Sequence, residues 1–204
     1  MDASSAQQER SEATRGELVA VARRLFASRG YADVGTEEIV RSAGVTRGAL
    51  YHHFDSKREL LASVHEEIER ELTERIATEA FSGADAPTDP IAALHRGAEL
   101  FLDACLEPEV QRIVLLDAPA VLGWERWREV ASRYGLGLIE ATLQAAVDAG
   151  SIGDQPVRPL AHVLMGALDE AAMYVARAED RGVARAEMGA TLARILDALV
   201  AEAR

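Results

Sequence analysis

The stretch GVTRGALYHHFDSKREL, residues 44–60, decides the fold because it joins two short helical segments through a glycine turn. Before it, Thr36 precedes two acidic residues, a sequence that suits the positive end of a helix reaching Ala43. Gly44 can adopt the left-handed backbone of a sharp turn, and Thr46 can cap a following helix that runs through Phe54. This order of elements predicts a helix-turn-helix.

The second helix of this pair has one apolar side and one polar side. Successive helical residues turn by about 100°, so Leu50 and Phe54 share a side and anchor the helix. The opposite side carries Arg47, Gly48, Ala49, Tyr51 and His52. In a helix-turn-helix the second helix enters the DNA major groove, and small residues on its outer side allow close approach. The sequence therefore predicts a DNA-contacting surface here.

Further helices flank the pair. Apolar residues recur at helical spacing from Thr14 to a glycine stop at Gly30, which predicts a first helix. Ser56 and Glu59 have the spacing of a capping box and open a fourth helix. The run of Glu66, Glu67, Glu69, Glu71 and Glu74 circles that helix and indicates a solvated surface.

Composition indicates a globular protein. The 204 residues are 49% hydrophobic, enough for one large domain or for a small domain joined to a medium one. No apolar run reaches the ~18 residues of a membrane span, and the first residues lack a secretory pattern, so we expect a soluble, cytoplasmic protein. A lone cysteine, Cys105, excludes an internal disulfide. A single lysine and no asparagine suggest a GC-rich bacterial genome.

Charge is unevenly distributed along the chain. The formal net charge is -12, yet residues 1–58 hold nine Lys/Arg and eight Asp/Glu, against thirteen and twenty-six in the remainder. A near-neutral head on an acidic body is compatible with nucleic-acid binding through one face.

The residues TEEIVRSAGVTRGALYHHFDSKRELLASV, 36–64, resemble the DNA-binding signature of TetR-type transcriptional regulators. The glycine, threonine, tyrosine, phenylalanine, lysine and leucine fall in that family's order and spacing. The resemblance implies an all-α homodimer with an N-terminal three-helix helix-turn-helix domain, residues 1–56, and a larger helical ligand-binding and dimerisation domain, residues 57–204. The heads would bind a palindromic operator in double-stranded DNA, and the larger domains would bind a small-molecule effector.

The resemblance also assigns roles to individual residues. Helix starts and phenol or ammonium groups suit phosphate oxygens, whereas Arg47 is the best candidate for reading a guanine. His52 is second, and Ala49 suits a thymine methyl. The predicted DNA-contacting residues are Thr36, Thr46, Arg47, Gly48, Ala49, Tyr51, His52 and Lys57. Taken singly, each of three residues has an alternative interpretation. Tyr51 also fits half-buried packing, Lys57 a solvated charge and Arg47 a surface ion pair.

The remainder of the chain predicts more helices. Asp89 and Pro90 suit the start of one, and Pro108 opens another through Leu116. Pro119 and Gly123 then interrupt helicity before a long helix that ends near Gly150. Two apolar helices follow, roughly over 158–177 and 184–203.

An interruption of this kind often borders a cavity, and ligand sites combine aromatic walls with a few polar groups. The predicted ligand-binding residues are Phe101, Cys105, Asp117, Trp124, Trp127, Tyr134, His162, Met165, Asp169 and Met173. Asp117 and Asp169 suggest a cationic or hydroxyl-bearing hydrophobic ligand. The polar residues among these could instead pair with water, with an arginine or with a residue across a dimer. The aromatic residues could instead be ordinary parts of the hydrophobic core.

The last two helices carry apolar stripes that the family resemblance would use for dimerisation. The predicted interface residues are Leu164, Leu168, Ala171, Val175, Leu192, Ile195, Leu196 and Leu199. The alternative is an intramolecular bundle core.

An enzymatic function has little support, because the sequence contains no glycine-rich phosphate loop, nucleophile elbow or metal-ligand cluster. Adjacent His52 and His53 diverge on a helix and lack further ligands, so we expect no metal and no cofactor. The sequence favours a ligand-responsive, DNA-binding repressor. The alternative is a helical protein-interaction module, or a small-molecule-binding protein, without specific DNA binding.

Overall fold

The computed structural model describes residues 3–82 and 86–201, and within them the chain forms nine α-helices, two short π-helical segments and no strand. The helices are α1 (Ala3–Arg29), α2 (Thr36–Ser42), α3 (Arg47–His53), α4 (Lys57–Ala77), α5 (Pro90–Ala104), α6 (Ala118–Leu122), α7 (Trp124–Asp148), α8 (Val157–Arg177) and α9 (Arg181–Ala201). The first π segment is Thr78–Ser82 and the second is Val110–Asp117. The predicted all-α fold is confirmed.

Helices α1, α2 and α3 form the head. Its core is made of side chains with almost no exposure, among them Leu18, Phe26, Ile39 and Leu50. Gly44 has a φ of 65° in the turn between α2 and α3, where a side chain would be strained. The Thr46 hydroxyl accepts a hydrogen bond from the Ala49 amide at 3.1 Å, so the predicted cap starts α3.

The first helix begins earlier than its apolar pattern predicted. It starts at Ala3 rather than near Thr14, and the added turns carry exposed polar side chains. Ser5 donates a hydrogen bond to Glu9, and Gln8 donates one to Glu12, each across one helical turn. A helix with no buried face gives no apolar periodicity, so this extension was not visible in the sequence.

The body is a bundle in which α5, α7, α8 and α9 pack on one another, with α4 leading into it from the head. One large hydrophobic core joins head and body, because head residues such as Phe26 share it with Ile113, Trp127 and Met173 of the body. The segment predicted as a helix from Pro108 to Leu116 does begin at Pro108, but its turns from Val110 to Asp117 are π-helical. Apolar spacing does not distinguish these two helical forms, and π-helical turns often occur at functional sites. The predicted interruption at Pro119 is wrong, because Pro119 lies in the first turn of α6 and the chain stays helical up to Gly123.

Candidate functional sites: a DNA-facing surface and an internal cavity

The outer side of α3 is exposed because its inner side is fixed in the core. Leu50 is fully buried and Phe54 is 4% exposed, so the helix cannot rotate without losing both contacts. Thr46, Arg47, Gly48 and His52 are exposed, Tyr51 is 42% exposed and Ala49 is half-buried. Thr36 lies half-buried at the start of α2. The predicted DNA-contacting residues of α3 therefore form one continuous outward surface.

Arg47 is held in place by neighbours in the head. Its guanidinium donates a hydrogen bond to Glu37 of α2 at 2.7 Å and lies 5.5 Å from the ring of Tyr51. Both members of this ion pair are mostly exposed, so water and salt weaken it. Such a contact orients the arginine but leaves it free to exchange Glu37 for another acceptor.

Lys57 lies in a more enclosed position than the sequence suggested. Its ammonium donates hydrogen bonds to the carbonyl oxygens of Tyr31 and Val34 at 2.8 and 2.9 Å, and lies 3.9 Å from the Tyr31 ring. Burial lowers the pKa of Lys57, and the charge of Asp117 opposes that shift. Two of the three ammonium protons therefore hold the loop between α1 and α2, and one remains for a further acceptor.

The body contains an internal cavity of about 120 Å³ between α4, α5, the second π segment, α7, α8 and α9. Five of the predicted ligand-binding residues line it: Phe101, Cys105, Trp127, Met165 and Asp169. Further apolar walls come from four residues predicted for the dimer interface, Leu164, Leu168, Leu192 and Leu196, and from residues with no predicted role in a site, namely Leu72, Ile76, Phe81, Leu94 and Leu138.

The other five predicted ligand-binding residues lie away from the cavity. Asp117 accepts a hydrogen bond from the Tyr31 amide at 2.8 Å, so it belongs to the contact between head and body. Tyr134 donates a hydrogen bond to Glu66 at 2.9 Å, and Met173 is buried against the head core. Trp124 and His162 point outward and are exposed. Helical spacing shows on which side of its helix each of these residues lies. It does not show which neighbouring element covers that side.

Two carboxylates enter the wall of the cavity. Asp169 of α8 is 6% exposed and accepts a hydrogen bond from Arg128. Burial raises the pKa of Asp169 to about 7, against the opposing charge of Arg128 and with a contribution from nearby Glu69. Glu69 is 8% exposed, so the expectation that it belongs to a solvated acidic surface is wrong. Glu69 lies between Ile68 and Leu72, two buried apolar residues of α4, and this position was the signal that could have identified Glu69 as buried.

His65 lies one helical turn before Glu69 and is fully buried. Its Nε2 is 3.4 Å from Glu69 Oε1, but neither ring nitrogen has a hydrogen-bond partner among the described residues. Burial also raises the pKa of the Cys105 thiol to about 12, with Glu69 and Asp169 adding to the shift. The thiol is therefore not a nucleophile at neutral pH, and the polar end of the cavity is electronegative.

The residues proposed for dimerisation divide into two groups. Leu164, Ala171, Val175, Leu192 and Leu196 are buried within the single chain, and Leu168 and Leu199 are partly buried. A side chain already covered by its own chain has little surface to offer a second copy. Ile195 of α9 is the exception at 42% exposed, and α8 carries two further exposed apolar residues, Val163 and Tyr174, at 67% and 47%.

Several contacts tie the first turn of α4, which directly follows the head, to α6 and α7. Arg58 donates hydrogen bonds to the carbonyl oxygens of Val121 and Leu122 at 3.1 and 2.8 Å. Glu59 accepts two from Arg126 at 2.7 and 2.6 Å, and this pairing lowers the pKa of Glu59. Glu59 thus faces α7 rather than completing a capping box, although Ser56 does accept from its amide.

Within the part of the chain that the structure describes, no three His, Cys, Asp or Glu side chains are grouped as a metal site. None of the described helices combines the length and apolar character needed to cross a membrane. The fold and the outward surface of α3 define a helix-turn-helix protein with a separate helical body.

Comparison with known proteins agrees with this class. A sequence profile described as "Bacterial regulatory proteins, tetR family" matches residues 18–64. A second, described as "Tetracyclin repressor-like, C-terminal domain", matches residues 91–199. The chain belongs to the TetR family of bacterial transcriptional regulators.

Three relatives show how far the likeness extends. The crystal structure of a TetR-family regulator from Pectobacterium atrosepticum is 35% identical with a TM-score of 0.83, over 94% of this chain and 96% of that one. The transposon Tn10 TetC protein of Escherichia coli is 28% identical over 153 residues, 74% of this chain and 75% of TetC. The structure of RolR with resorcinol is 21% identical with a TM-score of 0.74, covers 96% of this chain and 93% of RolR, and shows the fold alone.

Proposed function

We propose that the chain is a cytoplasmic, homodimeric repressor that binds a palindromic operator and is released by a small hydrophobic effector. The observation that carries the proposal is the outward surface of α3, because two buried anchors leave Arg47, Tyr51 and His52 exposed to solvent. The proposed head is residues 1–56 and the proposed body is residues 57–204. We infer a regulatory rather than a catalytic role for both parts.

The proposed DNA contacts divide into positioning and reading. Thr36, Thr46, Tyr51 and Lys57 would bind phosphates, which fix the register but carry no sequence information. Arg47 would exchange its exposed pairing with Glu37 for a guanine edge, with His52 and Ala49 beside it. Gly48 adds no side chain, so the α3 backbone can approach the groove there.

The cavity is the proposed effector site. The second π segment supports this, because Val110, Val114 and Leu115 line the cavity while Asp117, at its end, holds the Tyr31 amide of the head. An effector that occupies the cavity displaces this segment and α4 together, and thereby tilts the heads. Release from DNA requires the effector to bind the tilted state more tightly than the DNA-bound state. RolR, which shares the fold, was crystallised with the small molecule resorcinol.

The proposed dimer surface is the outer side of α8 and α9. Val163 and Tyr174 lie on α8, and Ile195 lies on α9, as exposed apolar residues on neighbouring helices. A two-fold interface places the same patch of both copies against each other, which suits two helices from each chain. The family resemblance assigns the interface to residues of the same two helices, of which Leu164, Ala171, Val175, Leu192 and Leu196 are buried within the single chain.

Selection of duplexes from a random library by the purified full-length protein tests the function. We expect enrichment of a palindrome with half-sites about one helical turn apart, and affinity that falls steeply with salt because phosphate contacts release counterions. If no sequence is enriched even at low salt, the regulator proposal is wrong. A helical interaction module or a small-molecule-binding protein then becomes the better account.

A further inference from the structure

We propose that the effector cavity selects a neutral, single-ring molecule that carries a hydroxyl, with Glu69 as the acceptor that recognises the hydroxyl. This inference rests on the proposed function in one respect, namely that the cavity is the effector site. It adds the chemical class of the ligand and the residue that reads it.

The size of the cavity limits the ligand to about one ring. Its volume is about 120 Å³, whereas an apolar protein cavity of ~150 Å³ accepts benzene. Phe81, Phe101 and Trp127 line it together with leucines and methyl groups. Such walls bind an apolar, flat ligand favourably, because its surface is removed from water. They offer no favourable contacts to a large or strongly hydrated ligand.

The polar end of the cavity offers acceptors. Glu69 lines the cavity with its side chain 10% exposed, and among the described residues no side chain forms a hydrogen bond with its carboxylate. Nearby His65 does not serve, since its Nε2 lies 3.4 Å away without a hydrogen bond. A buried carboxylate that lacks a donor is costly, and a hydroxyl from a ligand supplies the missing one.

Charge in the wall distinguishes three ligand types. An anionic ligand is repelled, because both Glu69 and Asp169 present carboxylates at the same end. A cationic ligand loses its hydration among apolar walls, and one of the two carboxylates it could pair with, Asp169, already pairs with Arg128. A neutral hydroxyl avoids both costs while donating to Glu69. The wall therefore favours a hydroxylated ring over the corresponding acid or amine.

Titration calorimetry on the full-length protein with four ring compounds tests this selectivity. The probes are phenol, toluene, benzoate and benzylamine, which share the ring and differ in the substituent. We expect phenol to bind about tenfold more tightly than toluene, as one hydrogen bond to a charged acceptor allows. Benzylamine should bind more weakly than phenol, and benzoate should show no binding.

A substitution of Glu69 assigns the selectivity to that residue. Glu69→Met keeps the length of the side chain but removes the acceptor, so phenol and toluene should bind with equal affinity. Glu74→Met, on an exposed side of the same helix, is the matched control and should keep the phenol preference. If a thermal melt shows that Glu69→Met does not fold, Glu69→Gln replaces it, because the amide keeps an uncharged acceptor. Its preference for phenol over toluene should be weaker than that of the natural protein.

Several results would overturn the inference. They are equal affinities for phenol and toluene in the natural protein, tightest binding of benzylamine, or a phenol preference that is undiminished in folded Glu69→Met or Glu69→Gln. Absence of binding by all four rings also overturns it, and if the protein still selects a palindrome, the proposed regulator stands without this ligand class. Phenol binding without any selected duplex would leave the ligand class standing and remove the regulator.

Discussion

The head and the body differ in how completely they are packed. In the described residues of the head, no buried side-chain nitrogen or oxygen lacks a hydrogen-bond partner. Its loop is held by Lys57, and its turn is held by Thr46 and Gly44. In the body, a cavity of about 120 Å³ remains among the helices, and His65 and Gln111 bury nitrogens without partners.

This difference matches what each region has to do. A DNA-reading helix must present its side chains in one fixed arrangement, and close packing provides that. A region that responds to a ligand needs alternative arrangements of similar free energy, and a void beside a π segment allows them. The second π segment contacts both regions, so changes in the loosely packed region reach the tightly packed one.

The largest expected effect compares a leucine in each region. Leu50→Ala should lower the free energy of unfolding by about 2–5 kcal/mol, because it opens a void in a filled core. Leu168→Ala should cost about 1–2 kcal/mol, since that side chain is only partly buried and already borders a void. Urea denaturation of both variants measures the difference. Equal costs would contradict the comparison between head and body.

A second comparison, within the head, separates a structural cation from a reading one. Lys57→Ala leaves the carbonyls of Tyr31 and Val34 without their donor, so we expect a loss of about 1–2 kcal/mol and weaker binding to every duplex. Arg47→Ala removes only an exposed ion pair, so stability should change by less than about 0.5 kcal/mol. In a duplex competition assay, Arg47→Ala should relax the base preference at one position of the operator. Sequence-independent losses for both variants would remove Arg47 from the reading role.

Asp117 is the point at which the two regions can be uncoupled. Asp117→Asn keeps an oxygen for the Tyr31 amide but weakens the attraction to Arg112, whose Nε lies 3.5 Å away. Stability should fall by about 1 kcal/mol or less, while ligand occupancy should change duplex affinity less than in the natural protein. Fluorescence anisotropy of a labelled duplex measures this. Asp103→Asn, in an exposed pair with Arg185, is the control and should leave the ligand effect unchanged.

The last comparison, within the body alone, is the dependence of its stability on pH. Burial raises the pKa of Asp169 to about 7, so the folded state binds this proton more tightly than the unfolded chain does. Stability from this residue is therefore greatest at low pH and falls as pH rises from about 4 to about 7. The stability difference between the natural protein and Asp169→Asn should change across that window in urea denaturation. A difference that stays constant with pH would show that Asp169 keeps an ordinary pKa.

The sequence predicted those parts of the molecule whose signals are local. The caps at Thr46 and Asp89 and the glycine turn at Gly44 each depend on a few neighbouring residues, and the structure contains all three. The resemblance to the family rested on the same stretch, and the comparisons confirmed it. Local chemistry is thus readable from a single sequence.

Features that depend on how helices pack were not predictable in the same way. Helical spacing placed Asp169 correctly at a buried position but gave no sign that Asp117 faces the head. It placed Glu69 on a solvated surface, although α7 and α8 complete a cavity around it. Spacing shows which residues share a side of a helix. The element that covers that side is decided by contacts between distant parts of the chain.

The central claim is that occupancy of the body cavity controls DNA binding by the head. The most direct test is an anisotropy titration of the selected duplex at rising phenol concentration, beside calorimetry that reports how much phenol is bound. The account predicts that duplex affinity falls as the cavity fills, and that Glu69→Met requires more phenol for the same fall. Phenol bound in the cavity with no change in duplex affinity would contradict the account.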